Sequence, residues 1–391
     1  FAFTQVSRLM AERHDPVGLV QGLVVLALLW WSWTAFSWLS NHAHADEGAV
    51  PVAVIVAMVA VFLAALVVPQ AYTDLAGGAG APLILVGALL VARLAHASVY
   101  AFGAVEDVRM RRRVVRAVIL PLLPTATLLV AGALAPGSAR LWLWCGAAAL
   151  EPALSYAATH RADFRLPSAA HVAERYGLVV ILSLGESVLA VGTGIGAAGK
   201  PVTVPVLLGG VLAMLISVAM WWAYFARYAR PAEHALAGAH GAARARLANE
   251  GYSYLHLVVV AGVVVAALGI ETAMAHLGEP EALGGFTAGA LGGGVACFLT
   301  GTALFARRML GRWPAVRLGG ALVLLAAVPA LASARPMTAL ALTVGLLIGL
   351  LVVERLVPTP SPALAPGAAG RMVPGTGPAT ALGAVHDQDG V

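Results

Sequence analysis

Three ionised side chains stand inside long apolar runs of the chain: Arg93, Glu151 and Glu186. A charge at the middle of a bilayer costs about 2.5 to 3.5 kcal/mol even on the lenient insertion scale, so each needs a partner, a cavity or a task. The simplest arrangement gathers all three at similar depth, with Arg93 neutralising one carboxylate and the other left to take up a proton or cation. Their neighbours sharpen this reading. His96 and Tyr100 follow Arg93 at one and two helical turns on one face, a file able to relay protons. Glu151 precedes Pro152, which removes a backbone donor and frees a carbonyl one turn earlier, as a proton or cation site requires. Ser183 and Ser187 flank Glu186 and are placed to hydrogen-bond it. Glu174 opens the same span about 18 Å away, from twelve residues at about 1.5 Å each. With Glu271, which closes a later span, it forms a candidate pair of gates. The competing reading is that an Arg–Glu pair only fixes packing, that His96 is a satisfied core histidine and that Glu174 complements a helix dipole.

These residues need long helices to hold them. Of 391 residues, 60% are hydrophobic and 11% charged, against roughly 25% charged in soluble domains. The class this allows is an all-α polytopic membrane protein. Runs near the 20 residues needed to cross about 30 Å of hydrocarbon occur at 17–39, 50–69, 82–103, 114–135, 140–158, 176–197, 203–225, 253–275, 283–305, 315–333 and 337–357. Phe1 to Met10 reads as the second half of a further, truncated span, making about 12. Of the 24 cations, 18 fall in the loops after even-numbered spans and in the C-terminal flank, 5 lie on the other side and Arg93 lies within a span. By the positive-inside rule both termini are then cytoplasmic. Trp38, Trp221, Trp222 and Tyr224 are expected at the inner interface, and Trp142 and Trp144 at the outer. The Pro-, Gly- and Ala-rich tail, 358–391, is expected to be disordered.

Weak internal matches divide the spans into two halves of six, 1–158 and 159–357. Trp30-Trp31-x-Trp33 parallels Trp221-Trp222-x-Tyr224, Gly87-Ala88-Leu89 parallels Gly289-Ala290-Leu291, and Arg140 and Arg335 each open the last span of a half. Such parallel repeats meet around a midplane cavity. Gly285-x-x-x-Gly289-x-x-x-Gly293 and Gly192-x-x-x-Gly196 read as close-packing faces. Gly194 to Lys200 imitates the start of a phosphate loop, but Pro201 stands where the magnesium-binding Ser or Thr belongs and a membrane helix precedes it. His42, His44, Asp46 and Glu47 have metal-ligand chemistry without fixed geometry and read as a solvated loop. Cys145 and Cys297 sit in separate apolar runs and form no redox or metal motif. No catalytic motif, cofactor or metal site is indicated. The net charge of +5 serves topology, not nucleic acid.

His171-x-x-Glu174-Arg175-x-Gly177-Leu178, followed by Leu184-Gly185-Glu186-Ser187, resembles the signature of the bacterial low temperature requirement A (LtrA) membrane proteins. Trp30-Trp31-x-Trp33, Arg93 and Gly269-x-Glu271 are similar to that family's pattern, so the resemblance runs to about residue 357. The family begins with an acidic, Phe-rich half-span, of which Phe1-Ala2-Phe3-Thr4-Gln5 reads as a remnant. The resemblance implies the fold and the emphasis on Glu186, and supplies no substrate. The expectation is a bacterial inner-membrane transporter or ion pathway acting on an unknown small solute or ion through Arg93, Glu151, Glu186, His96 and Ser187. The alternatives are a structural or sensory protein whose Arg109–Arg116 loop touches anionic lipid, and a lipid-modifying enzyme using His96 near Glu151.

Overall fold

The computed structural model describes residues 1–39, 50–73, 80–102, 108–160, 166, 168–198 and 201–357. The expected disordered tail, the His42–Glu47 loop, Arg161, Arg165 and Lys200 fall outside them, as do the side chains of Tyr100 and Arg109–Arg116. Among the described residues the chain is helical, with no strand. The helices are α1 (Ala2–Arg13), α2 (Pro16–Leu39), α3 (Val50–Val67), α4 (Ala81–Phe102), α5 (Val108–Leu134) and α6 (Ser138–His160). They continue as α7 (Ala169–Ala198), α8 (Val204–Gly238), α9 (Gly241–Ala275), α10 (Gly285–Leu310), α11 (Ala315–Ser333) and α12 (Pro336–Leu356).

Nine of them, α2–α4 and α7–α12, are long and apolar enough to cross a membrane. The other three fall short for visible reasons. Helix α1 has 12 residues. In α5 the part whose side chains are described, Pro121–Leu134, is apolar but shorter than a span. In α6, Arg140 and Glu151 interrupt the run.

Two helices outrun their apolar stretches. The span expected at 203–225 belongs to α8, which extends to Gly238 through a π-helical turn at Phe225–Ala229. The span expected at 253–275 belongs to α9, which begins at Gly241 and passes through another at Asn249–Leu255. Apolarity marks what the bilayer covers, whereas the Ala- and Leu-rich extensions stay helical by propensity.

Helix α9 is the centre of the packing, touching α1, α2, α7, α8, α10 and α12, with 78% of its apolar window buried against 28% for the peripheral α3. Glycines set its closest approaches. A Cβ on Gly262 would stand 2.3 Å from the Phe298 nitrogen, one on Gly269 2.4 Å from the Leu291 nitrogen, and one on Gly294 2.3 Å from the Ala266 nitrogen. The backbones of α9 and α10 therefore touch through glycines, as in small-residue membrane interfaces. The face expected from Gly285, Gly289 and Gly293 is not this one: all three look into open space among the described residues, as do Gly192 and Gly196. A π-helical turn at Gly289–Gly293 inserts an extra residue and rotates the contact face onto Gly294 and Gly301.

Aromatic placement also divides. Trp142, Trp221 and Trp222 are exposed as interfacial residues should be, but Trp144 and Tyr224 are buried. The Trp144 indole N–H donates to the Leu129 carbonyl at 3.0 Å, so a polar handle that suits the interface is here satisfied inside.

Candidate functional site

The three expected charges do not form one cluster. Arg93 on α4 is ion-paired with Glu151 on α6, and its Nε donates to Ser32 Oγ on α2 at 3.2 Å. All of this lies within the first six helices. The pair borders a cavity of about 10 Å³ lined by Leu28, Leu89, Leu122, Thr125 and Leu129, room for roughly one water. His96 shares the buried face of α4, lies in the field of Arg93 and donates to the Ala35 carbonyl, with its ring edge-on to Phe36 at 5.4 Å. It has the surroundings of a satisfied core histidine. The backbone near Pro152 is engaged too: the Tyr254 hydroxyl donates to the Pro152 carbonyl at 2.8 Å.

Glu186 belongs to a second polar group. It is 4% exposed, and its Oε2 accepts a hydrogen bond from the Thr4 hydroxyl of α1 at 2.8 Å. Its charged neighbours are the α-ammonium of Phe1 and Glu271 of α9, and Glu271 in turn lies in the field of Arg8 of α1. Ser187, 0% exposed, has an Oγ without a hydrogen-bond partner among the described residues, and so has Ser7 of α1. The hydrogen bond expected from Ser183 to Glu186 is not formed; Ser183 donates to the Val180 carbonyl at 2.8 Å.

Register fixes the levels of these groups. Tyr176 of α7 meets Ser253 of α9, 77 residues apart, and Gly194 meets the Glu271 carbonyl, again 77 apart, where a Cβ would stand 2.4 Å away. The two helices therefore run parallel without slip. Glu186 is level with Val263, and Glu271 lies eight residues, roughly 12 Å, further along the axis. Glu186 and Glu271 occupy two levels of one seam between α1, α7 and α9. Glu174 does not join it. Helix α7 starts at Ala169, not 176, so Glu174 lies beyond the first turn and on the exposed face.

At its other end the seam is plugged by an aromatic and hydroxyl knot. Trp30 Nε1 donates to the Ser253 carbonyl at 2.8 Å and Trp38 Nε1 to Ser253 Oγ at 2.8 Å, while the Tyr176 hydroxyl lies 2.9 Å from the same Oγ. Beside it, His256 is held through Nδ1 to the Gly251 carbonyl at 3.0 Å and Nε2 to the Tyr224 hydroxyl at 2.7 Å. Trp30, Tyr176, Ser253 and His256 are all buried.

The family model for the bacterial low temperature requirement A protein (LtrA) matches residues 1–352, both polar groups included. The chain belongs to the LtrA family. An uncharacterized protein of Rhizobium meliloti (strain 1021) is 26% identical over 317 residues, covering 77% of this chain and 73% of the relative. No solved structure matches.

This LtrA-family fold also contains an ion pair that sequence reading passed over. Arg317 of α11, 0% exposed, meets Glu354 of α12 through two bonds, Nε to Oε1 at 2.8 Å and Nη2 to Oε2 at 2.7 Å. It also donates to the Ala223 carbonyl at 3.0 Å and stacks over Tyr228 at 4.3 Å. Arg317 had been grouped with the arginines flanking spans, where most side chains reach solvent; the signal was Glu354, the single acidic residue of α12. Thr4 and Arg8 were passed over because α1 was read as a remnant. Among the described residues no three His, Cys, Asp or Glu side chains gather to hold a metal.

Proposed function

We propose that this LtrA-family protein is a carrier or pathway for a proton or small cation across the bacterial inner membrane, loaded at Glu186. The observation that carries the reading is the partnership of Glu186: a carboxylate buried midway along an apolar helix, bonded to a neutral hydroxyl of α1 and ion-paired with no cationic side chain among the described residues, with only the α-ammonium of Phe1 in its field. Arg93 neutralises Glu151 and leaves Glu186 to be neutralised by cargo. An unneutralised charge at that depth is costly, so loading changes the energy of the seam and biases the helices that form it. Glu271, with Arg8 nearby, is the second station toward one membrane face, and the Trp30–Trp38–Tyr176–Ser253 knot closes the opposite end.

Twelve spans, counting α1, α5 and α6, in two halves of six suit this reading. So does an orientation with both termini cytoplasmic, supported by the skew of 18 of the 24 cations to one side. The packing-only alternative fits one part of the molecule well: the Arg93–Glu151–Ser32 group is mutually satisfied, and we assign it to holding α2, α4 and α6 together.

Reconstitution into liposomes with pH and voltage readouts tests the proposal. Wild-type protein is expected to move protons or cations down an imposed gradient, and Glu186→Gln to abolish that flux while inserting and folding normally. Equal flux in the two proteins removes Glu186 from the mechanism.

A further inference from the structure

Where α8, α10 and α12 end and α11 begins, positive charge outweighs the buried acid that could balance it. Two guanidiniums meet at Glu354 of α12: Arg317 of α11 takes both carboxylate oxygens, and Arg227 of α8 donates to the Glu354 carbonyl. Arg312, in the turn between α10 and α11, joins them in the field of Tyr228. Arg227 and Tyr228 are consecutive residues of the π-helical turn Phe225–Ala229, one touching Glu354 of α12 and the other Arg317 of α11. Three cations thus surround one carboxylate. Arg308 of α10 is paired separately with Glu250, and the next acid along α8, Glu233, stands six residues, roughly 9 Å, beyond Arg227.

Arg355 follows Glu354 on the exposed side of α12, and its Cζ lies over the Trp222 ring of α8, 5.2 Å from the centroid. Contact with a ring face leaves the N–H edge of a guanidinium to bond an anion. This Arg–Trp contact also caps two exposed apolar stripes that lie side by side. Val218 stands one turn before Trp222 on α8, and Ile348 and Val352 stand two turns and one turn before Arg355 on α12. We propose that Arg227, Arg312 and Arg355 receive the phosphate of an anionic phospholipid, whose acyl chains lie along these stripes. Charge complementarity calls for an anion, and the apolar approach selects one that carries hydrocarbon. Trp222 and Trp313, both exposed, mark the headgroup level. In the proposed orientation this is the cytoplasmic face, where basic pockets between spans take such headgroups. The bound lipid clasps the end of α8 to the end of α12, with the Arg317–Glu354 pair as the fixed floor beneath it.

Thermal unfolding of the purified full chain in detergent tests this without any transport assay. Midpoints are compared after adding phosphatidylglycerol, phosphatidylcholine or inorganic phosphate at equal concentration. Phosphatidylglycerol is expected to raise the midpoint by about 2 °C or more over phosphatidylcholine. The gap should shrink in high salt and disappear in the triple variant Arg227→Gln, Arg312→Gln, Arg355→Gln. Arg355→Gln alone, at an exposed position, should keep the lipid-free midpoint and lose part of the gap, whereas Arg335→Gln at the other end of α12 should keep all of it. Equal wild-type midpoints in the two lipids overturn the proposal. So does a gap that persists in the triple variant, which places the lipid elsewhere, and so does an equal rise with inorganic phosphate, which makes this a site for a free anion. No outcome depends on flux through Glu186, so this site and the carrier reading stand or fall separately.

Discussion

At the scale of single residues, the two buried carboxylates with opposite company make the sharpest contrast. Glu151 is paired and Glu186 is not, and mutation should separate them. Removing one member of a buried pair leaves the other charge stranded, at a cost of about 3 to 5 kcal/mol, whereas replacing both with apolar groups of similar size is often near neutral. Arg93→Met and Glu151→Leu should each lower the unfolding midpoint strongly, and the double variant should recover most of the loss. Additive losses in that cycle would show that the ion pair is not the coupled unit. Glu186→Gln, which keeps the acceptor for Thr4 and deletes only the charge, should instead leave the fold intact. A milder effect belongs to the turn between α1 and α2. There Arg13 and the Gly18 N–H hold the partly exposed Asp15 carboxyl below its usual range. A carboxyl lowered on folding stabilises the fold above its unfolded-state value and loses that contribution as pH falls through the folded one. Asp15→Asn should therefore lower stability slightly near neutrality, flatten the acid limb of a stability–pH curve, and leave the most acidic end unchanged.

At the scale of helices, the apolar runs and the glycines were readable to different degrees. Every expected full-length span coincides with a helix to within two residues at the ends where it overruns, since hydropathy over twenty residues averages away local detail. The contact face of α10 did not follow from spacing, because Gly285, Gly289 and Gly293 are eligible by pattern and the π-helical turn through them is a backbone choice that small residues permit and do not announce. Substitution distinguishes eligible glycines from working ones. Gly262→Ala and Gly269→Ala put a methyl within 2.3–2.4 Å of backbone nitrogen on α10, where no side chain can move aside. These variants should lower the detergent unfolding midpoint sharply or fail to accumulate as folded protein. Gly285→Ala and Gly289→Ala have open space and should match wild type or gain slightly from reduced unfolded-state entropy. Equal behaviour of the two sets would mean that α9 and α10 do not pack through their backbones.

At the scale of the whole molecule, the question is what joins the first six helices to the rest. The sequence showed which charges were costly but not which would meet. Arg93 and Glu151 are 58 residues apart and pair, while Glu186 takes its donor from Thr4, 182 residues away. A short amphipathic α1 and a serine on a π-helical turn carry little pattern, so Thr4 and Ser253 were not legible. Ser253 is nevertheless where the parts are tied: Trp30 and Trp38 of α2, and Tyr176 of α7, all converge on it in α9. Carriage by relative motion of the two halves requires the bonds from Trp30 and Trp38 to Ser253 to break in each cycle. A hydrogen bond of this kind contributes about 1 kcal/mol net, a factor of roughly five in the opening equilibrium. Ser253→Ala, which removes the acceptor for Trp38 and the partner of Tyr176 while leaving the Glu186 level untouched, should lower the unfolding midpoint modestly. It should also raise Glu186-dependent liposome flux several-fold, provided opening of this end limits the rate. A knot that only stabilises gives the first result without the second. Flux unchanged at a reduced midpoint would therefore remove the Ser253 end from the transport cycle and leave it as a fixed brace between α2, α7 and α9.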